Sequence, residues 1–119
     1  MRENIILQKS KAFAVRIVRL YQHLCSSKRE YILAKQILRS GTSIGANAKE
    51  AAYAQSKAEF VAKMNIALKE AAETEYWLEL LYETDYLTKS QYDSLYSDNN
   101  ELISLLSSII KTSNKNDRS

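Results

Sequence analysis

The run Arg39-Ser40-Gly41-Thr42-Ser43-Ile44-Gly45-Ala46-Asn47-Ala48-Lys49-Glu50-Ala51-Ala52 decides how this chain is read. Both glycines of the protein fall inside it, and Ile44 is the only large apolar residue between Ser40 and Ala52. With several alanines and no proline, the run suits a helix better than a turn. On a helix, Gly41, Ile44, Gly45, Ala48, Ala51 and Ala52 recur at three- and four-residue steps and form one small-residue stripe. Each glycine costs a helix interior about 1 kcal/mol relative to alanine, so the pair implies that another backbone approaches closely here. A break at Ser40-Gly41-Thr42-Ser43 is the competing reading, since four poor helix formers stand in a row. Continuity is preferred because the three-four spacing passes through without a slip of phase.

The helical pattern extends in both directions. Toward the N-terminus, Ile6, Phe13, Ile17, Leu20 and Leu24 mark a first helix over about 5–25. Ser27 with Glu30 fits a capping box opening a second helix over about 28–54. Ser56 with Glu59 opens a third over about 57–84. There Phe60, Met64, Ala67, Ala71, Thr74, Leu78 and Leu81 alternate four and three apart as in a bundle seam. Thr88 with Gln91 opens a fourth over about 89–111, with Tyr92, Leu95, Asn99, Leu102, Leu106 and Ile109 on the same rhythm. Residues 112–119 contain no apolar side chain and are expected to be disordered. Four amphipathic helices joined by short connections predict an all-α, up-down-up-down antiparallel four-helix bundle, a single domain over 1–119.

Composition narrows function. The chain has no apolar run of membrane-spanning length and no signal-peptide pattern, which predicts a cytoplasmic protein. One cysteine, Cys25, and one histidine, His23, exclude an internal disulfide and any Cys/His zinc site. A ferritin-like di-metal centre needs Glu-x-x-His pairs, and Leu20 stands three residues before His23. His23 and Cys25 lie two apart on a helix and face different sides, so nucleophilic catalysis through them is not expected. The expectation is a non-enzyme with no cofactor and no metal.

Charge is laid out unevenly. Residues 1–69 carry 13 Lys+Arg against 4 Asp+Glu, a balance of +9, while residues 70–119 carry 4 against 10, a balance of −6. Such asymmetry points to a polyanionic partner for the basic half, or to basic and acidic faces meeting between copies. The candidate nucleic-acid-binding residues are Arg16, Arg19, Lys28, Arg29, Lys35, Lys49, Lys57, Lys63 and Lys69. Without a reading-helix motif they would hold phosphate by charge and bind RNA or DNA with a steep salt dependence. A second set, Arg39, Ser43, Asn47 and Glu50, forms a polar line beside Gly41 and Gly45. It is read as a packing or interface network, and Arg39 facing a phosphate is the less favoured reading. Tyr76, Tyr82, Tyr86, Tyr92 and Tyr96 are read as core-edge packing in preference to a base-stacking platform.

Three groups of residues together resemble a known family. They are Gln36-x-x-Arg39-Ser40-Gly41-x-Ser43-Ile44-x-x-Asn47-x-x-Glu50-Ala51; Ala54-x-Ser56-x-x-Glu59-Phe60-x-x-Lys63; and Ile66-Ala67-x-Lys69-Glu70-Ala71-x-Glu73-x-x-Tyr76-Trp77-Leu78. The pattern is similar to the bacterial four-helix bundle proteins encoded in 23S rRNA intervening sequences, the S23-type proteins. That family includes the accessory variability determinant of diversity-generating retroelements. The resemblance implies a homopentamer with a central channel, nucleic-acid binding with little sequence preference and, for the retroelement members, association with a reverse transcriptase. For the intervening-sequence members it implies a bundle without an assigned role. Either a retroelement accessory or a structural, protein-interaction bundle is compatible with these residues.

Overall fold

A computed structural model describes residues 2–118, with side chains for 4–115; Met1 and Ser119 lie outside the described residues. Four helices follow in order: α1 (Arg2–Ser26), α2 (Ile32–Ala52), α3 (Lys57–Glu83) and α4 (Lys89–Arg118). They form an elongated bundle of 51 × 22 × 20 Å. Each helix packs on its neighbours in the cyclic order α1, α2, α3, α4, and the closing α4–α1 seam is the sparsest. The α1–α2 side and the α3–α4 side are therefore opposite faces.

The core is the set of periodic positions expected from sequence. Phe13, Ile17 and Leu24 of α1, Ile37, Ile44 and Ala48 of α2, Met64, Ala71 and Leu78 of α3, and Leu102 and Leu106 of α4 are buried. Polar groups among them are mostly partnered. Thr74 Oγ1 donates to Ser40 Oγ at 2.9 Å across α2–α3, and Asn99 Nδ2 donates to the Ala71 carbonyl at 2.9 Å across α3–α4. Each such bond opposes sliding of one helix past the next, because a shifted register leaves a buried polar group unpaired.

α2 is continuous through Ser40-Gly41-Thr42-Ser43, and its glycines explain themselves. A Cβ on Gly41 would stand 2.7 Å from Ile17 Cγ1 and 2.9 Å from Cγ2; one on Gly45 would stand 3.3 Å from Ser10 Oγ. Gly41 and Gly45 are thus the seat of α1 against α2, whereas Ala52, at the end of the expected stripe, is exposed. The hydroxyls of Thr42 and Ser43 donate to the carbonyls of Leu38 and Arg39, at 2.7 and 2.6 Å, so they do not compete with the helix for its N–H groups.

Helix ends differ from expectation in instructive ways. α1 begins at Arg2 and α2 at Ile32, not near 5 and 28. The Ser27–Glu30 box does not form: Arg29 takes a left-handed φ of 54°, which ends the helical path and leaves a connection over 27–31. Ser27 N–H instead closes α1 on the His23 carbonyl, and Glu30 reaches forward to accept from Ala34 N–H at 2.9 Å. α2 stops at Ala52, where the Tyr53 and Ala54 N–H groups tighten onto Glu50 and Ala51. The Ser56 hydroxyl accepts from Glu59 N–H as expected, but the Glu59 carboxylate takes Gln55 N–H, one residue earlier than in the standard box. The Thr88–Gln91 box is fully reciprocal, at 2.9 and 3.1 Å. α3 closes in a Schellman motif, with Tyr86 N–H on the Leu81 carbonyl and Asp85 at φ 70°. α4 runs on to Arg118, so residues 112–118 are helical where disorder was expected. Lys, Ser and Asn continue a helix that the bundle has already nucleated, even though they add no apolar face.

Gly41→Leu should cost roughly 1–3 kcal/mol by overfilling the contact with Ile17. Gly41→Ala should destabilise more than Gly45→Ala, since only the first Cβ falls under 3.0 Å from its neighbour. Urea unfolding of the three variants measures the order; equal stabilities for the two alanine variants would contradict the packing described.

Candidate functional site

The sequence-derived sites separate into two chemically different sets once placed on the bundle. The polar line of α2 is not a buried network. Arg39 is half exposed and bridges to α3, donating to Glu70 at 2.9 Å and to Glu73. Glu73 also accepts from the Trp77 indole at 2.9 Å. Hydrogen bonds from Trp77 and then Arg39 hold the Glu73 carboxyl below its ordinary range, while Glu73 raises the Arg39 guanidinium. Ser43 and Asn47 bond back into their own helix, Asn47 donating to the Ser43 carbonyl at 2.8 Å. Glu50 accepts from Lys63 of α3 at 2.7 Å, and this contact raises the Lys63 ammonium. Arg39 and Glu50 therefore tie α2 to α3, Ser43 and Asn47 bond only within α2, and Gly41 and Gly45 turn instead toward α1. Arg39 faces two carboxylates that already compensate its charge, which disfavours a phosphate at this position.

The nine candidate binding cations divide the same way. Arg16 is spent on α4, donating to Asp98 at 2.7 Å and to Ser94 Oγ at 3.0 Å, and Lys63 is spent on Glu50. Lys9, outside the candidate set, likewise meets Glu101 of α4 at 3.2 Å. Lys57, the first residue of α3, is also engaged. Among the described residues Arg19, Lys28, Arg29, Lys35 and Lys69 are exposed and make no ion pair within 4.0 Å. Lys49 lies over the exposed Tyr53 ring, 6.0 Å from its centroid. Apart from Lys69, these unpaired cations sit on α1, α2 and the connection between them.

That same α1–α2 side carries apolar surface. Val15 and Val18 are 49% and 38% exposed. Beside them Leu7, Ala14, Gly45 and Ala46 line a groove of about 430 Å³ edged by Lys11 and Lys49. The sequence reading missed this second stripe because the core stripe of α1 is the stronger one. The signal was there in Ala14, Val15 and Val18, which fall between core positions.

The opposite, α3–α4 side is acidic and aromatic. Tyr82 and Tyr92 stack on each other at 4.6 Å, with Tyr96 tilted onto Tyr92 at 5.5 Å. Burial, and then Glu79, Glu75, Asp93 and Glu83, raise the Tyr92 hydroxyl. These rings occupy each other's faces in a negative field, which suits packing and opposes an incoming phosphate.

No group of three or more His, Cys, Asp or Glu is placed to hold a metal ion among the described residues, and no helix is long and apolar enough to cross a membrane. The architecture defines an all-α bundle with one basic and one acidic side. Residues 2–108 match the model of the 23S rRNA-intervening sequence protein family, and the chain belongs to that family. It is similar to a crystal structure of a protein with unknown function from the S23 ribosomal protein family of Bacteroides thetaiotaomicron. That likeness is 58% identity over 93% of this chain and 99% of the other, with a TM-score of 0.92. No curated protein matches the chain.

Because the folded Glu73 carboxyl titrates below its unfolded range, its contribution to stability is present above that range and is lost as pH falls through the folded value. Thermal midpoints measured from neutral to acid pH should therefore fall less steeply for Glu73→Gln than for the parent. Parallel curves would contradict the role given to the Arg39–Glu73–Trp77 contact.

Proposed function

We propose that this chain is a non-catalytic, homo-oligomeric nucleic-acid-binding protein that uses its α1–α2 side. One observation carries the reading: the α1 and α2 cations Lys9, Arg16 and Arg39 that face α3 and α4 meet carboxylates, whereas Arg19, Lys28, Arg29, Lys35 and Lys49 on the α1–α2 side have no carboxylate partner. An exposed array of this kind binds backbone phosphate and releases counterions, without reading base sequence. The apolar groove beside it, floored by Gly45 and Ala46, suits a helix of a second copy, a contact separate from Lys28, Arg29 and Lys35 at the α1–α2 connection. A groove filled by a different face of the neighbour makes a heterologous contact, which closes into a ring when the rotation permits, in keeping with the homopentamer that the family resemblance implies. In a locus that encodes a reverse transcriptase, such a ring would serve as its accessory on template RNA.

A second reading, a structural or protein-interaction bundle encoded in an rRNA intervening sequence without strong nucleic-acid binding, draws on a specific observation. Lys9, Arg16, Arg39 and Lys63 are all consumed inside the fold, so much of the +9 half never reaches a partner.

Fluorescence anisotropy with labelled structured RNA and duplex DNA separates the two. The first reading expects affinity tighter than micromolar at low salt, weakening by about tenfold or more between 50 and 200 mM salt. Weaker binding, or binding indifferent to salt, would favour the second. Light scattering across the same salt series should give a mass above that of a monomer; a monomer throughout would remove the oligomer from both readings.

A further inference from the structure

The connection between α1 and α2 presents to solvent a set of side chains for which the fold has no use. Tyr31 is 52% exposed and Ile32 is 76% exposed, adjacent in the chain at the start of α2. Lys28, Arg29 and Lys35 are exposed beside them and make no ion pair among the described residues. Tyr31 and Lys35 are four apart where α2 begins, so ring and ammonium share a face.

The backbone adds an independent observation. Arg29 holds φ 54°, a conformation that glycine adopts freely and that asparagine or aspartate tolerates, but that costs a long side chain. The equivalent position after α3 is Asp85, at φ 70°, which is one of the tolerant types. Arg29 therefore carries a conformational penalty, and such strain clusters where a side chain is used.

We infer that this connection is a contact for unpaired nucleotides: Lys28, Arg29 and Lys35 take phosphates while a base stacks on Tyr31 and is flanked by Ile32. The inference rests on the nucleic-acid reading above and deepens it by assigning the strand type and the residues. A single strand fits better than a duplex because only unstacked bases offer a face to an exposed tyrosine. The carboxylate of Glu30 is engaged by Ala34 N–H, and Glu83 at the end of α3 and Asp85 just after it put negative charge on the α3–α4 side, so the anion approaches from the α1–α2 side. An anionic lipid surface is the rival occupant, but one tyrosine and one isoleucine bury too little apolar surface to anchor a protein.

The test uses the full chain and a labelled single-stranded pyrimidine oligonucleotide beside a duplex of equal length, at low salt. Tyr31→Ala should weaken single-strand binding by about tenfold and leave the duplex unchanged, while Tyr31→Phe should bind the single strand as the parent does. Arg29→Gly should keep or raise the thermal midpoint yet lower affinity several-fold, whereas Asp85→Gly should keep the midpoint and the affinity. Parent-like single-strand binding by Tyr31→Ala, or parent-like affinity in Arg29→Gly, would overturn the inference and leave the broader reading standing. If the parent binds neither strand, both fall. Sedimentation with phosphatidylglycerol vesicles that depends on Tyr31 and Ile32, with oligonucleotide binding that does not, would assign the connection to lipid and overturn the inference as well.

Discussion

The close approach of α1 to α2 at Gly41 and Ile17 is the constraint on which the rest of the bundle depends. There is no room for a Cβ at Gly41, so α2 lies against α1 at a spacing that larger residues would forbid. That seat consumes the small-residue stripe. It also rotates the polar side of α2 toward α3, where Arg39 and Glu50 find Glu70, Glu73 and Lys63. Packing and electrostatics are thus coupled: the glycines decide which cations meet carboxylates and which remain in solvent.

The same coupling explains how the opposed charges of the two halves are brought together on the folded surface. An antiparallel bundle lays the basic α1 and α2 beside the acidic α3 and α4, and ion pairs form along both seams. Lys9 and Arg16 bind α4; Arg39 and Glu50 bind α3. Exposed pairs of this type contribute little each to stability, on the order of 0–1 kcal/mol. Their larger consequence is subtraction: they remove cations from the pool available to a partner, and what remains lies mostly on the α1–α2 side, with Lys69, Lys111 and Lys115 as the exceptions on α3 and α4.

Much of this was legible in the sequence, and the limits have physical causes. The seam of α3, the continuity of α2 and the reciprocal Thr88–Gln91 cap follow from local periodicity and hydrogen-bonding chemistry. The start of α2 did not, because a left-handed Arg29 has no compositional signature of the kind glycine or asparagine would supply. The extent of α4 was missed because a polar stretch carries no periodic signal when the helix ahead of it does the nucleating. The partners of Arg39 and Arg16 were invisible for a different reason. A cation's fate depends on which carboxylates the packing brings within 4.0 Å, and Glu70, Glu73 and Asp98 are far from them in the chain.

Folding sorts the cations, and the α1–α2 side is the proposed surface for nucleic acid. Titration of isotopically labelled protein with a short oligonucleotide, followed by amide chemical-shift changes, tests it most directly. The account predicts shifts confined to the neighbourhoods of Arg19, Lys28 to Lys35 and Lys49, with Arg39, Glu73 and the Tyr82–Tyr92 stack undisturbed. Shifts centred on the α3–α4 side, or on the Arg39 seam, would contradict it.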